Sequence, residues 1–334
     1  MRCLLLFIVA FQSHAQRSDF RHINFQKSDS IAETCKNEGL ENLPELAYKL
    51  TSNLSTDTER FRAIYKWVCN NIANDYSLYL RNKRKRERYK NDSIKLEAWN
   101  DRFKKEIFRK LLKQKKTICT GYAYIVQELS KLANLDCKII HGFGKTSTIN
   151  IETSDIPNHT WNAIKLDGKW YLCDPTWASG IPNQDTNVFS FEYNDGYFLA
   201  DPNLFAINHY PLNNEWSLLD NRLSFEDFLA APILYGKSYT HLIKHEKPKQ
   251  MHHDVQKNDT LNFEFDLQKP IQKNSISFLI DSGFISRKVK PTFIQIENKS
   301  LSIRQQFNTK GFYDVHLYFG EDLISTYTVK VNTN

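Results

Sequence analysis

The sequence predicts an α+β fold: a helix packed on an antiparallel sheet, followed by a small all-β sandwich. Three observations carry this. Residues 117–133 place Tyr122, Val126, Leu129 and Ala133 at helical spacing, with Ile125 and Leu132 beside them. Residues 159–166 and 169–175 are two strand-like runs joined by Asp167-Gly168, a dipeptide that favours a two-residue hairpin. Beyond residue 260, side chains alternate. Leu261, Phe263, Phe265 and Leu267 share one face, as do Tyr313, Val315, Leu317 and Phe319, then Tyr327, Val329 and Val331. A helix followed by antiparallel strands lacks the repeated strand–helix units of a doubly wound fold.

The elements in order begin with an address. Met1-Arg2 is a short positive start, Cys3–Phe11 an apolar run, and Ser13-His14-Ala15 a small-x-small cleavage site. Residues 1–15 therefore read as a secretory signal peptide, and the mature chain is expected in the periplasm or outside the cell. Residues 16 to about 45 are polar and are expected to be irregular. The capping box Thr56-x-x-Glu59 then starts a helix with Phe61, Ile64, Val68 and Ile72 on one face. From Arg81 to Lys116 there are 16 Lys/Arg against 5 Asp/Glu, a local net of +11 in a chain whose total is +7. Phe103, Ile107 and Leu111 give the second half of this segment an apolar face, so a docked amphipathic helix is expected. Residues 16–245 form one expected domain, 246–259 a polar linker, and 260–334 the immunoglobulin-like sandwich.

Composition excludes several classes. Aromatics at 13% exclude a mostly disordered chain, and 11 Gly with 10 Pro in 334 residues exclude a low-complexity one. No apolar run reaches the ~18–20 residues of a membrane-spanning helix. Without Cys3, five cysteines remain: Cys35, Cys69, Cys119, Cys137 and Cys173. The odd count implies at least one free thiol, and there is no C-x-x-C pair. Cys137 and Cys173 could pair if their strands were neighbours. His241 and His245 have i, i+4 spacing, with His252 and His253 nearby, but they lack a metalloprotease motif and read as an exposed linker.

The residues that could carry chemistry are Cys119, His159 and Asp174. Cys119 sits where a loop enters a helix, so the positive end of the helix dipole favours a thiolate. If Asp167-Gly168 is a two-residue turn, His159 and Asp174 are diagonal neighbours on one hairpin face, within reach of each other. A carboxylate so placed fixes the tautomer of an imidazole and stabilises its cation. Such a histidine can pair with a thiol and act as base, then acid. Gly121 permits close approach near the thiol. Cys173 lies on the opposite hairpin face from Asp174. His209 and Trp216 read as packing residues.

The blocks Ile64–Tyr76, ICTGYA (118–123) and HTWNAIKLDGKWYLCDPTW (159–177) together resemble the transglutaminase-like superfamily. Residues 197–219 are similar to the segment that follows in its kyphoscoliosis-peptidase-like branch. The resemblance covers about residues 45–240. It implies a papain-like core, with Cys119 as nucleophile, His159 as base and Asp174 as orienting acid. Thr117-Ile118 departs from the glycine many relatives carry before the thiol, the basic segment is longer, and the sandwich lies outside the match.

The implied chemistry is acyl transfer through a thioester, with backbone N–H groups at the start of the Cys119 helix as oxyanion donors and Tyr76 as a candidate side-chain donor. The leading expectation is an exported cysteine peptidase or amidase acting on protein or peptide amides. No cofactor or metal is expected. The alternatives are a protein-glutamine transamidase and a catalytically silent binding or scaffold protein. Export argues against nucleic acid as a partner, while the basic segment 81–116 would suit an anionic surface or polymer.

Overall fold

The structure, a computed structural model, describes residues 17–147, 156–183, 186 and 188–333. The signal-peptide expectation therefore falls on residues outside those described. The first described segment is more regular than its polarity suggested. It holds α1 (Gln26–Thr34), and Phe20 and Ala32 join the core. Next come α2 (Leu43–Thr51) and α3 (Asp57–Asn71); the Thr56–Glu59 capping box opens α3, whose Phe61, Ile64 and Val68 are fully buried. Arg62 on α3 is buried among two acids: its guanidinium grips Asp29 at 2.6 and 2.9 Å and also pairs with Asp195.

The basic segment holds two helices. α4 (Tyr76–Tyr89) and α5 (Ser93–Gln114) break between Lys90 and Asp92, where the Asp92 side chain caps α5. The amphipathic helix expected in the second half is α5, with Phe103, Ile107 and Leu111 buried. Leu78, Trp99, Phe103, Ile107 and Ile118 form a small separate core between them. Two short parallel strands, β1 (Ala73–Asn74) and β2 (Lys116–Thr117), tie off both ends of this excursion. α6 (Cys119–Leu132) follows directly and packs against α2, α3 and the sheet.

That sheet is antiparallel. Its strands are β3 (Cys137–Gly144), β4 (His159–Leu166), β5 (Lys169–Cys173) and, after α7 (Pro175–Ser179) and α8 (Pro202–Phe205), β6 (His209–Pro211), in the order β5-β4-β3-β6. The β4–β5 hairpin pairs Asn162 with Cys173 and Leu166 with Lys169, the register expected from a two-residue turn. Asp167 and Gly168 both take positive φ (47° and 80°), which a type I′ turn requires. β4 lies between β3 and β5, so Cys137 and Cys173 are about 10 Å apart in the hydrogen-bonding direction, too far for a disulfide. All five described cysteines are free.

The sandwich starts earlier than its alternation pattern. After α9 (Phe225–Ala230) come β7 (Ile233–Leu234), β8 (Leu242–Lys247) and β9 (His252–Gln256). They are followed by β10 (Thr260–Leu267), β11 (Ile276–Asp281), β12 (Ser286–Val289), β13 (Phe293–Glu297), β14 (Ser300–Gln306), β15 (Gly311–Phe319) and β16 (Asp322–Asn332). One sheet runs β13-β14-β10-β8. The other runs β12-β11-β15-β16-β7, with β9 also pairing with β16. Phe263, Phe278 and Tyr327 meet between them, at ring separations of 4.9 and 5.1 Å.

Residues 246–259 are thus not a free linker. They include the end of β8 and all of β9, whose five residues pair in parallel with Thr328–Asn332. An edge strand with one wet face satisfies its backbone without an apolar run, which is why this stretch reads as polar. Of the four histidines around this stretch, His252 is exposed, but His241 and His245 are held by partners. His245 is buried against the Tyr327 hydroxyl at 2.7 Å, and His241 contacts Asp322 at 2.7 Å. Leu234 and Leu242 belong to the same continuous core as α3, α6 and the four-stranded sheet. No described helix is long and apolar enough to cross a membrane.

Candidate active site

Three elements bring Cys119, His159 and Asp174 together: the first turn of α6, the start of β4, and the residue after β5 that caps α7. His159 Nε2 lies 2.7 Å from Asp174 Oδ2, and the imidazole is also hydrogen-bonded to the Cys119 thiol. Nε2 is committed to the carboxylate, so Nδ1 is the nitrogen left for sulfur. Burial works to lower the His159 pKa. The charge and hydrogen bond of Asp174, with the Cys119 contact, outweigh it and raise the pKa to about 10.

Asp174 is held on every side. Oδ1 accepts from Thr176 N at 2.8 Å and Trp177 N at 3.1 Å, capping α7. Oδ2 accepts from His159 and, at 3.0 Å, from His209 Nε2. Four donors fill the four lone-pair positions of one carboxylate. Burial alone would raise its pKa. The two histidines and the backbone donors hold it well below the ordinary carboxylate range. Behind it, the Tyr65 hydroxyl on α3 donates to the Asp174 carbonyl at 3.0 Å.

His209 is the residue that sequence reasoning set aside as packing. It is fully buried and stacks on Phe205 at 3.7 Å. Burial lowers its pKa to about 4, so it is a neutral ring. A neutral imidazole has one N–H, and the carboxylate is the stronger acceptor, so that proton sits on Nε2. His209 and His159 reach one oxygen because β3 separates them, with Gly142 paired to His159 and Gly144 to His209. A Cβ on Gly144 would come within 2.9 Å of His159 Cβ and Cγ; the missing side chain is the space the imidazole occupies. The glycines of His141-Gly142-Phe143-Gly144 were the available signal. Trp177 stacks on His159 at 4.6 Å and completes the aromatic surround.

His159, Asp174 and His209 are close enough to ligate one ion. The two nitrogen–oxygen separations, however, are those of direct hydrogen bonds, so each contact holds a proton.

Two clefts meet at Cys119 and His159. The first is lined by Tyr76, Trp177, Ile181, Tyr193 and Leu234, and one wall is the β15–β16 turn of the sandwich, Glu321–Leu323. The second lies between α4–α5 and the β3–β4 edge and is lined by several basic side chains. Tyr79 borders both. Its hydroxyl is buried, has no hydrogen-bond partner among the described residues, and interacts with Cys119. Burial pushes its pKa up to about 12, which keeps it a neutral donor. Tyr76 lines the first cleft with its ring stacked on Tyr79 at 5.8 Å, but the unpartnered hydroxyl beside the thiol belongs to Tyr79. At Gly121 the close approach is made by Thr117 rather than by another backbone: an added Cβ would meet its Oγ1 at 2.0 Å.

The other described thiols differ in kind. Burial raises the pKa of Cys35, Cys69 and Cys173, and that of Cys137 to about 12. None of them borders either cleft.

Residues 44–175 match the model of the transglutaminase-like superfamily. The human protein named kyphoscoliosis peptidase is 34% identical over 188 residues, which cover 56% of this chain and 26% of that protein. Hillarin of Drosophila melanogaster is 25% identical over 226 residues, covering 64% of this chain and 25% of its own. The chain thus spans about a quarter of the length of the curated relatives it matches. The matched segment contains the hairpin and the α6 start that hold Cys119, His159 and Asp174, and residues 44–175 form a transglutaminase-like domain similar to that of the kyphoscoliosis peptidases.

Proposed function

We propose that this protein is a thiol enzyme that cleaves protein or peptide amides through a thioester, with Cys119 as nucleophile, His159 as base and acid, and Asp174 as orienting carboxylate. The observation that carries this is one imidazole held between a buried carboxylate and a thiol where two clefts meet. Sγ attacks the amide carbonyl carbon, forming the S–C bond. The cation on His159 gives its Nδ1 proton to the departing amine as the C–N bond breaks. Water then attacks the thioester: its proton passes to His159, the C–O bond forms and the S–C bond breaks, regenerating the pair.

The oxyanion of each tetrahedral intermediate is met by the Cys119 N–H, free of helical partners at its position, and by the Tyr79 hydroxyl. His209 is a positioning residue that fixes the Asp174 carboxylate. The reading includes export: Met1–Ala15 has the positive start, apolar run and cleavage site of a signal peptide, so protein recovered outside the cytoplasm should begin at Gln16.

The test is to incubate the chain with a peptide library and a tagged amine and to identify products by mass spectrometry. New peptide termini that vanish in folded Cys119→Ala and His159→Ala support the reading. Tag incorporation without hydrolysis would make the enzyme a transamidase. No product of either kind would leave the silent scaffold.

A further inference from the structure

The second cleft has a charge that the acyl-transfer steps do not use. Lys83, Arg84, Arg86, Arg88 and Lys104 line it, and Glu87 is its only acid among the described residues. Glu87 is already paired with Lys90, outside the cleft. Arg86 is the innermost cation. One of its nitrogens donates to the Pro157 carbonyl at 2.7 Å, while Nε is buried with no partner. No carboxylate lies within ion-pair distance of Arg86 among the described residues, yet the guanidinium is near enough to interact with the Cys119 thiol, Tyr79 and His141. Taking a guanidinium out of water without an anion is costly, and folded chains seldom leave one so. Among the described residues its acidic neighbours are Cys119 and Tyr79, so a ligand carboxylate would supply the missing counter-ion.

We propose that the cleft between α4, α5 and the β3–β4 edge is an acidic-peptide subsite, in which Arg86 receives an Asp or Glu carboxylate close to the scissile amide. Five cations spread over two helices suit an acidic segment better than a single terminal carboxylate. The first cleft, lined by Trp177, Ile181 and Tyr193, takes the apolar residues on the other side of the bond. The long basic excursion is thereby a specificity device, and its α4 face belongs to the site. This rests on Cys119 being the nucleophile.

The test uses charge-matched alkylating agents on the reduced full chain, with labelling at Cys119 read by peptide mapping. Iodoacetate carries a carboxylate; iodoacetamide is its neutral counterpart. At low salt, the iodoacetate-to-iodoacetamide rate ratio at Cys119 should exceed that of glutathione about tenfold, the scale of one charge-assisted hydrogen bond. It should fall toward the glutathione ratio in 0.5 M NaCl and in Arg86→Gln, and persist in Arg86→Lys. A Glu-rich peptide, acetylated and amidated, should protect Cys119 from iodoacetamide where its Gln counterpart does not. A ratio equal to that of glutathione, or equal protection by the two peptides, overturns the subsite, and the wild-type ratio and its salt dependence decide this even if Arg86→Gln misfolds. If Cys119 reacts with iodoacetamide no faster than in the unfolded chain, it is the thiol-enzyme reading that fails.

Discussion

The charge on His159 can be measured directly. In the wild type, Asp174 and the Cys119 contact raise its pKa from 6.5 to about 10, a preference for the cation of roughly 5 kcal/mol at 1.36 kcal/mol per unit. Asp174→Asn keeps the side-chain shape. Its Oδ1 can still cap Thr176 and Trp177, so Nδ2 must take the place of Oδ2 and face both histidines. The carboxylate charge is then gone, and burial, the largest influence on this ring, outweighs the remaining Cys119 contact and pushes the His159 pKa below 6.5. Nδ2 also donates to Nε2, which moves the single imidazole proton to Nδ1, the side facing Cys119. At pH 8 the wild-type ring should be fully cationic, whereas less than about 3% of the variant rings should be. Long-range ¹H–¹⁵N NMR of histidine-labelled, reduced protein reports protonation and tautomer together. Stability should follow with the same sign. A raised histidine pKa stabilises the fold fully below pH 6.5, and that contribution is lost as pH rises towards 10. The wild-type advantage over Asp174→Asn should therefore shrink across that interval. A wild-type His159 that titrates near 6.5 would refute the whole electrostatic account.

Three further outcomes are expected. At pH 6, iodoacetamide should label Cys119 at least tenfold faster than Cys35, Cys69, Cys137 or Cys173, because burial keeps those four as thiols; equal rates by peptide mapping would remove the case for an activated nucleophile. Gly144→Ala should leave the circular dichroism spectrum intact but cut peptide turnover about a hundredfold, since the added methyl occupies the space of the His159 ring; unchanged turnover would show that the ring has room to move. Lys145 is buried, with Nζ donating to the Phe228 and Ala231 carbonyls at 2.6 and 2.7 Å, and burial lowers its pKa to about 7. Between pH 7 and 10.5 the unfolded chain binds a proton there that the native chain does not, so the wild type should gain up to about 1.4 kcal/mol per pH unit relative to Lys145→Met in urea titrations; parallel stability curves would refute this.

What was legible in the sequence was local. The Asp167-Gly168 turn set the hairpin register, and with it the meeting of His159 and Asp174. Thr56 and Glu59 announced the start of α3 within a single turn. The missed features depend on pairings between distant segments. His209 reaches Asp174 only because β6 lies beside β3, and nothing around residue 209 encodes that neighbour. Tyr76 and Tyr79 are one helical turn apart, so choosing between them required knowing which face of α4 turns toward the thiol. β9 is a half-exposed edge strand paired with residues more than seventy positions downstream, and its composition is that of a loop.

The β15–β16 turn forms one wall of the cleft beside Cys119, and it follows the thiol by roughly 200 residues, the rest of the four-stranded sheet and most of the sandwich lying between. Closing a chain segment of that size is entropically slow, so this contact is expected among the last to form. During synthesis the cysteine, histidine and aspartate emerge long before that wall does. A polypeptide still being made therefore carries its reactive groups in an unfinished groove, and competence to hold a substrate arrives only when the β-rich region has folded against it. The sandwich acts as a timer on the cleft as well as a part of its shape.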